Sequence, residues 1–116
     1  MRAMPTLSLG EEWMVSFDPL QGHEQGGIRP GLVISNDPFN RTPHTLCVVV
    51  PLTRTNRGFP SHVEIHSPQG GLRVVSFALC EQARSLSVSR FRRRLGTVEL
   101  TTVKRVQAIV GMFIDR

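Results

Sequence analysis

Nine consecutive residues, Gly22-His23-Glu24-Gln25-Gly26-Gly27-Ile28-Arg29-Pro30, hold an imidazole, a carboxylate, an amide and a guanidinium within a span of seven. Metal-free cleavage of a phosphodiester needs such groups. A base must take the proton of a ribose 2′-hydroxyl, and an acid must return one to the leaving 5′-oxygen. A cation and hydrogen-bond donors must meet the charge that grows on the phosphoryl oxygens. By pKa, Glu24 and His23 suit the proton transfers. Arg29 stays protonated and suits charge stabilisation. A solvated surface loop with Arg29 paired to an acid would have the same composition, and spacing alone does not separate the two readings.

Thr53 is the second candidate. It closes an apolar run and precedes Arg54, so its hydroxyl is placed to donate to a phosphate oxygen. Its plainer reading is a strand-terminal threonine. Arg54, Asn56 and Arg57 follow on a polar stretch suited to tracking a nucleic-acid backbone. The run Arg90-Phe91-Arg92-Arg93-Arg94 reads as a solvated turn with Phe91 docked on the core, adding positive charge to the surface. No zincin, Walker, nucleophile-elbow or dinucleotide motif is present. The four histidines have no metal-ligand spacing, and His62 and His66 are expected on the wet face of one strand. The residues therefore predict no metal and no cofactor. Met4, Met14 and Met112 are expected to fill core gaps, and Trp13 to anchor the core.

These groups need a scaffold, and 116 residues with 40% apolar and 20% charged side chains suffice for one domain spanning 1–116. Such a composition excludes a disordered chain. No apolar run nears the roughly 18–20 residues that cross a bilayer, and residues 1–10 lack a signal-peptide core, which predicts a cytoplasmic protein. Cys47 and Cys80 sit in apolar runs without CxxC spacing and read as reduced core thiols. The net charge is +5, and of 14 basic residues only Lys104 is not arginine. A basic small domain predicts an anionic partner, either nucleic acid or an acidic protein competing for the same surface.

Apolar runs at 12–17, 31–35 and 45–53 predict strands, the last buried on both faces, with a bulge or edge at Pro51. Residues 18–30, with three glycines and two prolines, predict a long loop, and 36–44 an irregular connection. Further strands are expected at 61–66, 72–80 and 94–98, with a short helical turn between 87 and 94. Val103, Val106, Val110 and Phe113 recur at helical spacing after a cap at Thr101 or Thr102. The sum is a mainly β, α+β fold: a small barrel-like antiparallel sheet with one packed C-terminal helix.

The chain resembles the MazF/PemK (Kid) family of toxin ribonucleases. The likeness runs through Gly10-Glu11-Glu12-Trp13, Asp18-Pro19, Gly22-His23-Glu24-Gln25, Arg29-Pro30, Val33-Ile34-Ser35-Asn36 and Phe39-Asn40. It continues through Val50-Pro51-Leu52-Thr53, Phe59-Pro60-Ser61-His62-Val63-Glu64-Ile65, Cys80-Glu81-Gln82-Ala83-Arg84-Ser85 and Arg94-Leu95-Gly96, in order over nearly the whole chain. The resemblance implies an SH3-like β-barrel with appended helices, assembled as a homodimer. It implies metal-independent, sequence-specific cleavage of single-stranded RNA, mainly mRNA, leaving a 2′,3′-cyclic phosphate and a 5′-hydroxyl. The implied partner is a cognate antitoxin whose acidic tail occupies the RNA site. Arg29 and Thr53 fall on the family's catalytic pair, with Glu24 and, from the PemK branch, His23 also implicated. Gln25, Gln82 and Arg84, in matched motifs, join Arg54, Asn56 and Arg57 as expected RNA contacts. The PemK branch has an arginine and an aspartate around the cysteine of its fifth-strand motif, where this chain has Leu79 and Glu81. That departure favours chemistry of the MazF type, centred on Arg29 and Thr53. Two rivals share the fold: a gyrase-poisoning toxin that binds protein and cuts nothing, and a catalytically dead RNA-binding regulator.

Overall fold

A computed structural model of the chain describes residues 4–17, 27–66 and 68–114. Seven strands form one antiparallel sheet: β1 (Glu11–Ser16), β2 (Ile28–Val33), β3 (Leu46–Thr53), β4 (His62–Ile65), β5 (Ser76–Leu79), β6 (Arg84–Ser87) and β7 (Phe91–Thr97). A one-turn helix α1 (Asp37–Asn40) lies within the expected irregular connection, and α2 (Leu100–Met112) closes the fold. The strand order is β4-β5-β3-β2-β1-β7, with β6 also paired to β3. Among the described residues no ladder joins β4 to β7, so the sheet curls like a barrel without closing through hydrogen bonds.

The expected burial of the third strand on both faces holds, and it divides the interior in two. Leu32, Ile34, Val50 and Leu52 point into one core, which α2 covers with Val103 and Val106. Val33, Cys47 and Val49 point into the other, filled by Trp13, Val15, Phe17 and Phe91. Alternation along a strand makes this division: successive side chains leave opposite faces, and here each face has its own apolar cover. Trp13 is the expected anchor, edge-on to Phe91 with ring centroids 6.3 Å apart. Both cysteines are free and buried.

The two prolines mark where ladders stop. Pairing of β2 to β3 runs from Gly31↔Pro51 to Val33↔Val49, beginning just after Pro30. On its other side β3 pairs β6 through Leu46–Val49 and β5 through Leu52–Thr53, leaving Pro51 at the seam between them. A residue without an N–H is tolerated where no neighbour asks for one.

Several boundaries differ from expectation. Ile28, Arg29 and Pro30 belong to β2, paired with Ser16, Val15 and Met14, and not to the preceding loop. The fifth strand begins at Ser76 and not at Leu72, because Gly70 and Gly71 adopt positive φ (64° and 72°) and the chain bends until residue 75. The arginine run is strand β7 with Phe91 buried, and its turn is confined to Val88–Arg90. Neither threonine caps α2. Glu99 takes that position, and its N–H donates to Gln69 Oε1 at 3.0 Å. Of the helical stripe, Val103 and Val106 are buried but Phe113 is 54% exposed, and Met4 and Met112 are exposed as well. These lie near the chain ends, where no second layer covers them. No helix among the described residues is long and apolar enough to cross a membrane.

Candidate functional site

A cleft of about 580 Å³ opens on the sheet face that carries Met14. Its lining takes Ile28, Arg29 and Pro30 from the start of β2, and Leu52 and Thr53 from the end of β3 with Arg54 and Thr55 beyond it. The segment from Gly71 to Ser76 and Leu95 of β7 complete it. Arg29 and Thr53, singled out from separate stretches of sequence, thus face one cavity. Each is placed by a strand: Arg29 by its pairing with Val15, Thr53 by its pairing with Phe77. The Thr53 hydroxyl accepts the N–H of Thr55 at 3.2 Å, which orients the oxygen and leaves its hydrogen to donate elsewhere.

Among the described residues, the charge lining the cleft is positive: Arg29, Arg54 and Arg73 line it, with no aspartate or glutamate. Apolar surface accompanies them, most openly Ile28, which is 61% exposed. Guanidinium groups beside apolar walls suit a polyanion with flat, weakly polar bases.

His23, Glu24 and Gln25 lie outside the described residues. Arg54 is exposed and in the cleft. Asn56 and Arg57 are exposed on the adjoining loop, outside the lining, and the Asn56 side chain accepts the N–H of Gly58 at 2.9 Å to shape that turn. Gln82 and Arg84 are also outside the lining, and the Arg84 guanidinium sits 4.9 Å from the centre of the Phe17 ring. Among the described residues no three histidine, cysteine, aspartate or glutamate side chains converge as a metal site.

His62 is a correction. Expected on a wet face, its side chain is only 3% exposed, with Nε2 at 3.0 Å from Glu81 Oε2 and its ring 5.1 Å from that of Phe59. Ser61 Oγ donates to Glu81 Oε1 at 2.8 Å. Partial burial works to raise the Glu81 pKa, but hydrogen bonds from His62, its own backbone and Ser61 prevail and hold it below the usual carboxylate range. His66 is solvent-exposed as expected.

Two features had no sequence signal strong enough to single them out. Arg73 was absorbed into the expected fifth strand, whereas the bend after Gly71 puts it on the cleft. Glu12, at the start of the expected strand at 12–17, is 0% exposed, and neither carboxylate oxygen has a hydrogen-bond partner among the described residues. Burial alone pushes its pKa up to about 8. The turn above it is tight: a Cβ on Gly70 would come within 2.5 Å of Glu12 Cδ. Only a glycine there leaves room for the carboxyl group.

Residues 9–114 match the family described as PemK-like, MazF-like toxin of type II toxin-antitoxin system. The chain is 36% identical over 104 residues to an Endoribonuclease MazF of Staphylococcus saprophyticus, covering 89% of this chain and 87% of that protein. It also matches a crystal structure of MazF from Deinococcus radiodurans, with a TM-score of 0.85, 28% identity, and coverage of 97% and 99% of the two chains. A MazE-MazF crystal structure from the same organism matches with a TM-score of 0.76 at 28% identity, covering 95% and 96%. This chain belongs to the PemK-like, MazF-like toxin family of type II toxin-antitoxin systems.

Proposed function

We propose that this protein is the toxin of a type II toxin-antitoxin pair and acts as an endoribonuclease on single-stranded RNA, mRNA above all, in the cytoplasm. The observation that carries the reading is the meeting of Arg29 and Thr53 in one arginine-lined cleft. The 2′-oxygen attacks the adjacent phosphorus, the bond from phosphorus to the 5′-oxygen breaks, and a 2′,3′-cyclic phosphate and a 5′-hydroxyl result. Arg29 neutralises charge on the phosphoryl oxygens, and the Thr53 hydroxyl donates to one non-bridging oxygen. Glu24 or His23 accepts the 2′-proton, and water gives one to the leaving 5′-oxygen. The same reading supplies a cognate antitoxin with an acidic tail, as the positive cleft favours, and a homodimeric assembly.

Incubation of the wild type and Arg29→Ala with a long single-stranded RNA in the presence of chelator tests it. Wild type should give fragments with 5′-hydroxyl ends. Arg29→Ala should keep its circular dichroism spectrum and cleave on the order of a hundredfold more slowly or worse. Intact RNA with wild type would favour the gyrase-poison or RNA-regulator reading, and undiminished cleavage by the variant would remove Arg29 from the chemistry.

A further inference from the structure

The stretch between the Gly70-Gly71 turn and β5 has no place in the reaction so far, yet its side chains form part of the cleft. Gly71 packs against β7, where a Cβ would meet the Leu95 carbonyl oxygen at 2.1 Å, and Ser76 begins β5 beside β3. Residues 72–75 therefore carry the chain from the β7 side of the sheet to the β5 side. Both ends of the crossing are fixed. The turn rests on Glu12 and holds the start of α2 through Gln69, while Leu72 is buried in the core shared with Val103 and Val106.

Arg73 projects from this fixed crossing. Its side chain is exposed, lines the cleft, and has no hydrogen-bond or ion-pair acceptor among the described residues. Of the exposed arginines, Arg94 is engaged by Glu11 at 2.7 Å and Arg41 by the Leu7 carbonyl at 3.1 Å, whereas Arg73 and its cleft neighbour Arg54 have no such acceptor among the described residues. An unengaged guanidinium on an immobilised backbone, in a cavity lined by two more arginines and, among the described residues, no acid, is set to receive an external anion. We propose that Arg73 is a substrate-positioning residue that binds the RNA phosphate next to the scissile one, holding the strand in register with Arg29 and Thr53. This inference rests on the ribonuclease reading. A contact of this kind is sequence-independent and fixes register, not base choice.

The test uses wild type, Arg73→Ala and Arg73→Lys, with two readouts. Binding is measured by fluorescence anisotropy on a random-sequence single-stranded oligonucleotide pool with 2′-O-methyl ribose, which cannot cyclise. Cleavage kinetics are measured on an RNA that wild type cuts. Arg73→Ala should raise KM about tenfold with kcat within threefold, and its plot of log affinity against log salt should be shallower by about 0.7, the loss of one phosphate contact on a single strand. Arg73→Lys should retain most of the salt slope, since it keeps the charge. Unchanged KM and salt slope in Arg73→Ala would overturn the proposal, as would a loss confined to kcat, which would put Arg73 on the scissile phosphate itself. Failure of wild type both to bind the pool and to cut RNA would overturn the ribonuclease reading, and this inference with it.

Discussion

Glu12 is the residue most at odds with its surroundings. A carboxyl group with no exposure and no partner is tolerated by staying protonated, and its pKa moves from 4.5 to about 8. The sign of the linkage follows. Between pH 4.5 and about 8 the folded chain holds a proton that the unfolded chain has released, so stability falls as pH rises through that window. The slope is at most about 1.4 kcal/mol per pH unit. Glu12→Gln, which cannot ionise, should be nearly as stable as wild type at pH 5 and clearly more stable at pH 9. Thermal melts of both proteins across that range check this, and a gap that stays constant would mean that the carboxyl group is hydrated. Glu81 has the opposite sign. Its contacts with His62 and Ser61 stabilise the fold above its lowered pKa and are lost as pH falls through that value. His62→Ala should shrink that acid-side loss. The charge of Arg29 and the hydroxyl of Thr53 were legible in the sequence because such groups keep their character wherever they sit. The burial of Glu12 and His62 was not, because burial belongs to the neighbours that tertiary packing brings.

The Gln69–Gly71 turn shows how one short element serves three others. Gly71 combines φ 72° with a void too small for a methyl group against Leu95. Gly71→Ala should therefore destabilise by about 3 kcal/mol or more, read as a lower urea midpoint at unchanged slope. Gln69→Ala removes the acceptor for the Glu99 N–H at the start of α2 and should cost about 1 kcal/mol. Existence of the strands was readable from apolar runs such as Val48-Val49-Val50, and their ends were less so. Arg29 looked like part of a loop because prolines and glycines surround it, but β1 offers Val15 as its partner across the ladder, and long-range pairing decided. Residues 72–75 looked like strand because Leu72, Val74 and Val75 are apolar, yet two consecutive glycines with positive φ turned them out of the sheet.

Over the whole molecule, a formal charge of +5 is concentrated by a cleft with Arg29, Arg54 and Arg73 in its wall. An acidic peptide of the kind expected in the antitoxin tail should therefore compete with the oligonucleotide pool, and both affinities should weaken with added salt. Competition titrations at two ionic strengths check this, and a peptide that binds without displacing the oligonucleotide would locate its contact elsewhere. The sheet that supports this field is buried on both faces through the second half of β2 and most of β3, and Pro30 and Pro51 stand where the ladder between those two strands ends. The groups proposed to cut thus sit at the margin of the most deeply buried part of the fold, while Arg54 and Arg73 ride on the connections between its strands. Substitutions in those connections would change how firmly a strand is gripped and leave the blade itself untouched, so grip and cutting can be tuned apart without relearning how to fold.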